Sequence, residues 1–122
     1  MTTTHLPQRC RRSQLRLPES ATDRAYLAGI IDGEGSIGVL YDHPLPFVRN
    51  RVSVVVVNTD QGLLDWLSEI GGRISRSTNA MRWEVTARAE VIELLAAVIP
   101  YMRIKREVAE LALRHAEERM AS

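Results

Sequence analysis

The chain has 122 residues, of which 45% are hydrophobic and 25% are charged, and its formal net charge is +1. This length suits one globular domain with its own hydrophobic core. No segment approaches the roughly 18 consecutive apolar residues of a membrane span, and no secretory signal opens the chain, so we expect a cytoplasmic protein. The single Cys10 cannot form an internal disulfide, which agrees with a reducing compartment.

Residues 1–21 have no sustained hydrophobic period. Four arginines lie there among prolines and polar residues: Arg9, Arg11, Arg12 and Arg16. We interpret this segment as a flexible basic tail, which either contacts phosphates or has no role of its own. A single domain is then predicted to occupy residues 22–122.

From Thr22 onward the hydrophobic pattern becomes regular. Capping oxygens at Thr22 or Asp23 predict a helix that runs to about Asp32. Alternation predicts strands at 36–41 and 49–57, separated by a loop with two prolines. A second helix is predicted to begin after the capping oxygens of 58–60 and to end at two consecutive glycines, Gly71 and Gly72.

The second half of the chain predicts a hairpin followed by two helices. Strands at 73–78 and 81–86 are expected to turn around Asn79 and Ala80. Helices are predicted at 88–99 and 103–120, interrupted by Pro100, with three residues on one apolar face of the last: Val108, Leu111 and Ala112. The order α-β-β-α-β-β-α-α places the chain in the α+β class.

The nine residues 27–35, with the sequence LAGIIDGEG, combine an apolar helical segment with three glycines and two carboxylates. Glycine in a helix interior costs up to about 1 kcal/mol relative to alanine, so Gly29 and Gly33 at i,i+4 require a reason. Close approach of another helix backbone supplies one. Carboxylates at the end of such a contact face each other, which is costly unless a cation lies between them. The alternative is a helix that ends in a glycine-rich turn with solvated acids.

This nonapeptide resembles the motif that names the LAGLIDADG homing endonucleases. Six positions match the name letter for letter: Leu27, Ala28, Gly29, Ile31, Asp32 and Gly35. The resemblance covers about residues 22–120 and implies a LAGLIDADG endonuclease-like fold, in which a four-stranded antiparallel saddle-shaped sheet lies along DNA and helices cover its back. With one motif per chain it also implies a homodimer, whose interface is expected to involve the motif helix: Leu27, Gly29, Ile30, Asp32 and Gly33.

The resemblance further implies a metal-dependent site at the foot of this helix. Glu34 matches the family acid that binds a divalent cation, with the Gly33 carbonyl nearby, and the expected ion is Mg²⁺ with Mn²⁺ as a substitute. Asp32 lies about 200° around the helix from Glu34, and the family assigns it to helix packing and capping. Asp60 is either a simple helix cap or the family's polar residue near the metal-bound water.

Lys105 is the only lysine among 16 basic residues. It is either a surface residue or the family's basic residue near the scissile phosphate, where a positive charge stabilises developing phosphate charge. The family often has a further arginine after the Asp60 position. Residues 61–64 are Gln-Gly-Leu-Leu here, which departs from that pattern.

The predicted sheet should present one face to DNA, because alternate strand residues share a face. If the apolar alternate positions form the core, the opposite face carries the candidate DNA contacts: Ser36, Gly38, Leu40, Arg49, Arg51, Ser53, Arg73, Ser75, Ser77, Arg82 and Glu84. Arginine suits bidentate contact with guanine, and serine adapts to several partners. A solvated sheet face is the alternative, and Arg76 is ambiguous between the two faces.

Together with these features, the resemblance implies a site-specific double-strand DNA endonuclease that acts as a homodimer. It further implies metal-dependent hydrolysis across the minor groove of a long, roughly palindromic target, which would leave 3′ overhangs. The alternative is an RNA maturase or a non-cleaving DNA-binding regulator of the same fold. We expect no membrane partner, no nucleotide cofactor and no zinc site, because the chain has no phosphate-binding glycine motif and no zinc-ligand spacing.

Overall fold

The computed structural model describes residues 13–41 and 50–121. The elements in chain order are α1 (Ala21–Glu34), β1 (Gly35–Tyr41), β2 (Asn50–Asn58), α2 (Gln61–Ile70), β3 (Arg73–Arg76), β4 (Met81–Val85), α3 (Arg88–Val98), a 3₁₀ turn (Ile99–Tyr101) and α4 (Arg106–Ala121). The predicted α+β order is confirmed. None of the helices within these described ranges is long and apolar enough to cross a membrane.

The four strands form one antiparallel sheet with the order β1-β2-β4-β3. Val54 lies opposite Ile37 on one side and Val85 on the other, and Val56 lies opposite Trp83. Directly opposed residues share a face of a sheet, so these side chains form one apolar surface. The helices pack on that surface, and their buried leucines and valines complete a single core.

Trp83 is completely buried at the centre of this core. Its indole Nε1–H donates to the carbonyl of Gly71 at 2.7 Å, so the one polar atom of the ring is satisfied. Gly72 has a φ of +76°, and a Cβ there would lie 2.8 Å from both Trp83 Nε1 and the carbonyl oxygen of Glu84. The two glycines therefore end α2, as predicted, and also let the chain pass close to the buried tryptophan.

The last helix differs from the prediction in its start and in its buried face. It begins at Arg106 rather than at 103, because Asp32 binds the backbone N–H groups of the three preceding residues. Val108 and Leu111 are each 49% exposed. The residues that α4 buries are small: Ala109, Ala112 and Ala116. Small side chains let two helices approach closely, so here residue size decided burial rather than hydrophobicity.

Other element boundaries shift by one to three residues. Ser20 caps α1, since its side chain accepts from the Asp23 N–H at 3.0 Å, so the helix begins before Thr22 and continues to Glu34. The strand predicted at 73–78 ends at Arg76, because the Ser77 N–H donates to the Ala80 carbonyl within the hairpin turn.

The described part of the predicted basic tail lies against the domain. Leu15 and Leu17 pack on the core, and the Arg16 N–H donates to the Ile70 carbonyl at 2.7 Å. Two leucines two positions apart already carried an apolar signal, which the arginines around them obscured. The packed chain thus begins before residue 22, whereas residues 1–12 lie outside the described residues.

Candidate active site

Hydrogen bonds link three residues where the end of α1, the end of β2 and the start of α2 converge. Glu34 is the exposed last residue of α1, and its Oε1 accepts from Asn58 Nδ2 at 2.5 Å. Asn58 ends β2, and its Oδ1 accepts from the Asp60 N–H at 2.8 Å. Asp60 in turn caps α2, because its Oδ2 accepts from the Leu63 N–H at 2.8 Å. One amide therefore links the Glu34 carboxylate to the backbone N–H of Asp60.

Sequence reasoning treated Asn58 only as one of several capping oxygens. Its position two residues before a helix cap indicated the bond to Asp60, since asparagine often accepts from the backbone two residues on. Its contact with Glu34 joins residues 24 apart in the sequence. No local sequence pattern predicts the contact between Asn58 and Glu34, because it depends on how α1 packs against the end of β2.

Asp32 lies beside this cluster but faces the interior, with 7% of its surface exposed. Its two carboxylate oxygens accept from three successive backbone N–H groups, those of residues 103–105, at 2.7–3.0 Å. The Lys105 ammonium donates to the Asp32 carbonyl oxygen at 2.6 Å. These bonds attach the segment before α4 to the C-terminal end of α1. The Lys105 ammonium is thereby bound to a residue of α1 that lies two positions before Glu34.

The pKa of Asp32 reflects two opposed effects. Burial favours the neutral acid and acts to raise the pKa. The N–H groups of Ile104, Arg103 and Lys105, followed by the positive charge of Lys105, favour the carboxylate and outweigh burial. The pKa of Asp32 therefore lies below its ordinary value of 3.8, and the carboxylate is charged at neutral pH.

The motif helix divides its predicted interface residues between two faces. Leu27 is completely buried and Asp32 is nearly so within the single chain, and their place in an interface stays a prediction. Leu27 packs in the hydrophobic core, whereas Asp32 binds the backbone of residues 103–105. Gly29 and Gly33 are exposed, and a Cβ added at either meets no described atom within 4 Å; Ile30 is half-buried between the two faces.

The strand register sorts the predicted DNA contacts. Ser36 pairs with Val55, Val55 with Glu84, and Glu84 with Arg73, which defines one face across all four strands. The predicted residues whose register places them on this outer face are Ser36, Gly38, Leu40, Arg51, Ser53, Arg73, Ser75, Arg82 and Glu84. Arg76 pairs with Met81, two residues from Trp83, so it belongs to the helix-covered side.

Exposure on this outer face is uneven. Arg73 and Ser75 are exposed, and the Arg82 side chain is 44% exposed while it forms an ion pair with Glu84 at 3.3 Å. Ser53 retains only 9% of its surface, so although it lies on the predicted face it is largely inaccessible.

Two predicted DNA contacts fall outside the sheet. Ser77 lies in the hairpin turn, and its hydroxyl donates to the Ala80 carbonyl at 3.2 Å, because β3 ends before it. Arg49 lies outside the described residues.

The start of α2 carries no cation in place of the family's arginine. Gln61 donates to Asp65 at 2.8 Å, and Leu63 packs against the core. Leu64 is 1% exposed. Residues 61–64 therefore contribute to α2 and to the core, in a segment where the family often has an arginine.

The donor set at the foot of α1 suits a hard cation only in part. In residues 13–41 and 50–121 no group of three or more His, Cys, Asp or Glu side chains is arranged to hold a metal ion. Mg²⁺ in nucleic-acid enzymes typically uses one or two protein carboxylates together with phosphate oxygens and water. An exposed Glu34 carboxylate fits that pattern, provided other ligands come from outside this chain.

Solved structures of homing endonucleases share this architecture. I-CvuI in complex with the I-CreI target, with 2 mM Mg and uncleaved DNA, matches with a TM-score of 0.70 and 25% identity, covering 79% of this chain and 66% of I-CvuI. The LAGLIDADG meganuclease I-AabMI bound to uncleaved DNA matches with a TM-score of 0.70 and 16% identity, covering 79% of this chain and 38% of that one. I-GzeII in complex with its DNA target gives 0.69 and 18%, with coverages of 80% and 36%.

No protein-family model and no curated protein matches the sequence. The chain spans about two thirds of I-CvuI and well under half of I-AabMI and I-GzeII. The chain therefore shares the fold of the LAGLIDADG homing endonucleases, and its residues 27–35 resemble the motif that names them.

Proposed function

We propose that this protein is a site-specific, metal-dependent DNA endonuclease. The observation that carries the proposal is the convergence at the foot of α1. An exposed carboxylate, Glu34, is bound there by Asn58, which also binds the backbone N–H of a second acidic residue, Asp60. Lys105 is bound to the same end of the helix through the Asp32 carbonyl. Acids that hold a cation, with a nearby ammonium that offsets phosphate charge, suit hydrolysis of a phosphodiester.

Glu34 is the residue proposed to hold Mg²⁺, with the Gly33 carbonyl as a further oxygen donor and Mn²⁺ as a substitute ion. When bound, such an ion supplies activation of water and stabilisation of the leaving oxygen. Asp60 is proposed to orient water from the N-terminus of α2. The structures of I-CvuI with Mg and with Ca in the presence of DNA support divalent metal use in a relative.

Double-stranded DNA is the proposed substrate, bound by the outer face of the sheet. Exposed Arg73 and Ser75 with the half-exposed Arg82 offer hydrogen-bond donors to phosphates and base edges. Val57, 44% exposed beside Arg82, offers an apolar contact such as a thymine methyl group. The DNA complexes of I-CvuI, I-AabMI and I-GzeII support this substrate.

We also propose a homodimer, in which each chain would supply half of a symmetric site. The Gly29 and Gly33 face of α1 is open, and the absence of side chains there lets a second helix approach. Two copies would bring two Glu34 carboxylates together and allow both strands of a roughly palindromic target to be cut. From the family resemblance we propose cleavage across the minor groove with 3′ overhangs.

One observation favours the second candidate, a non-cleaving DNA-binding regulator or an RNA maturase. Residues 61–64, Gln-Gly-Leu-Leu, carry no arginine where the family often has one after the Asp60 position. A protein that only binds nucleic acid has no use for that cation, although it also has no use for Glu34.

The experiment that separates these functions is cleavage of a randomised plasmid library with Mg²⁺ at low salt, with the ends sequenced. An active endonuclease yields ends clustered at one related set of sites, with 3′ overhangs. Specific binding of a duplex without a nick in Mg²⁺ or Mn²⁺ would replace the nuclease with the regulator, whereas selective binding of structured RNA would favour the maturase.

A further inference from the structure

We infer that Asn58 is a positioning residue for Glu34, which it holds by one carboxylate oxygen so that the other is presented to the metal and DNA. This inference rests on the proposed nuclease function, because it assigns Glu34 to the metal. Asn58 itself is not proposed to touch the ion or the reacting phosphate. It acts through Glu34, from the end of a neighbouring strand.

The orientation of the Asn58 amide is determined by its second partner. The backbone N–H of Asp60 is a donor only, and it lies 2.8 Å from one end of the amide. That end must therefore be the acceptor oxygen Oδ1. The opposite end, 2.5 Å from Glu34 Oε1, must then be the Nδ2 donor. A flip of the amide would break the hydrogen bond from the Asp60 N–H, so the amide always presents its NH₂ donor to Glu34.

The Glu34 side chain would otherwise be free to move. It is exposed and lies in the last residue of α1, where the helix gives way to β1. The adjoining backbone is well fixed, since a Cβ at Gly35 would lie 2.9 Å from the Ile31 carbonyl oxygen and 3.0 Å from that of Val55. The hydrogen bond from Asn58 extends this order to the carboxylate, in the way that residues behind metal ligands orient the ligands.

The two functions of Asn58 use different atoms and can be separated by substitution. Oδ1 serves the fold, because it satisfies the Asp60 N–H before α2. Nδ2 is bound only to Glu34 among the described residues. Asn58→Ser keeps a turn-forming oxygen without adding charge, but its side chain is too short to reach Glu34. Asn58→Asp keeps the acceptor for Asp60 at full length and removes the donor.

The test measures Mn²⁺ binding by electron paramagnetic resonance, and the Mg²⁺ dependence of cleavage, on the duplex that the library experiment identifies. Residues behind metal ligands contribute about 10–100-fold to metal affinity or activity. We therefore expect Asn58→Ser to weaken Mn²⁺ binding by at least about 10-fold and to raise the Mg²⁺ concentration for half-maximal cleavage. Asn79→Ser, the same change in the exposed hairpin turn, should behave as wild type.

Asn58→Asp provides the second readout, because added charge can tighten metal binding without restoring the orientation of Glu34. Its cleavage rate at saturating Mg²⁺ should fall by about 10-fold or more, with circular dichroism as the check that the variant is folded. Wild-type Mn²⁺ binding in folded Asn58→Ser, or a wild-type saturating rate in Asn58→Asp, would overturn the inference and leave the proposed function standing. A wild-type protein that cuts no duplex, or Glu34→Gln with unchanged Mn²⁺ binding, would instead overturn the proposed function.

Discussion

Replacement of Asp32 by asparagine should destabilise the protein markedly, although the side chain contributes almost nothing to the protein surface. The carboxylate is 7% exposed and accepts from three backbone N–H groups, with the one of Ile104 shared between both oxygens. Asparagine retains one acceptor oxygen and turns an NH₂ group towards backbone donors. The N–H of Arg103 or of Lys105 then loses the one acceptor that it has within residues 13–41 and 50–121, and the two remaining bonds lose their charge.

The size of the effect follows from these contacts. A buried donor without a partner costs about 1–3 kcal/mol, and a hydrogen bond to a charged group exceeds a neutral one by about 1 kcal/mol. Asp32→Asn should therefore lower the free energy of unfolding by about 2–5 kcal/mol, out of the roughly 5–15 kcal/mol that is typical of a domain. Urea denaturation followed by circular dichroism measures this loss. Asp65→Asn, the same change on the exposed face of α2, serves as the control.

The stability difference between wild type and Asp32→Asn should also depend on pH. Because the folded pKa of Asp32 lies below the ordinary 3.8, its contribution is fully present above that value and is lost as the pH falls through the folded pKa. The stability difference between wild type and Asp32→Asn should therefore be constant near neutral pH and shrink below about pH 4. A difference under about 0.5 kcal/mol at pH 7, as for an ordinary surface substitution, would refute the role assigned to the Asp32 hydrogen bonds.

Three further substitutions address assembly, recognition and catalysis. Gly29→Leu meets no steric block within the described chain, so it should leave the domain folded but yield a monomer by light scattering; a wild type that is already monomeric at micromolar concentration would count against the homodimer. Arg73→Ala and Arg82→Ala should each weaken binding to the target duplex, by about 1–3 kcal/mol for a bidentate base contact, in fluorescence anisotropy, whereas Arg76→Ala on the helix side should not; equal effects of all three would remove the assignment of the outer face. Lys105→Ala should slow single-turnover cleavage by about 10²–10³-fold without abolishing it, and an unchanged rate would exclude Lys105 from catalysis.

Much of the fold was predictable because its signals are local. The β-branched residues 54–57 announced a strand, Asp60 announced a helix start, and Gly71 announced its end, and each lies where it was predicted. The buried face of α4 was not predictable in this way. Val108 and Leu111 are the larger apolar residues, yet the helix buries its alanines, because close approach of neighbouring elements depends on how the whole chain packs.

In the candidate site, too, the residues of a local motif were predictable, whereas their partners from distant parts of the sequence were not. The nonapeptide identified Glu34 and Asp32, since both belong to a contiguous pattern. The partners of these acids come from elsewhere: Asn58 reaches Glu34 across 24 residues, and the N–H groups of 103–105 reach Asp32 across more than 70. Backbone donors carry no side-chain identity in a sequence, so only the tertiary structure could reveal that Asp32 holds the segment that bears Lys105.

The central claim is that Glu34 makes this protein a metal-dependent nuclease, and Glu34→Gln tests it most directly. Glutamine keeps an oxygen that accepts from Asn58 but loses the charge that holds a divalent ion. On the duplex identified from the library, the variant should bind within a few-fold of wild type and fold at least as stably, while Mg²⁺-dependent cleavage falls by at least about 100-fold. Cleavage at the wild-type rate by Glu34→Gln would contradict the account.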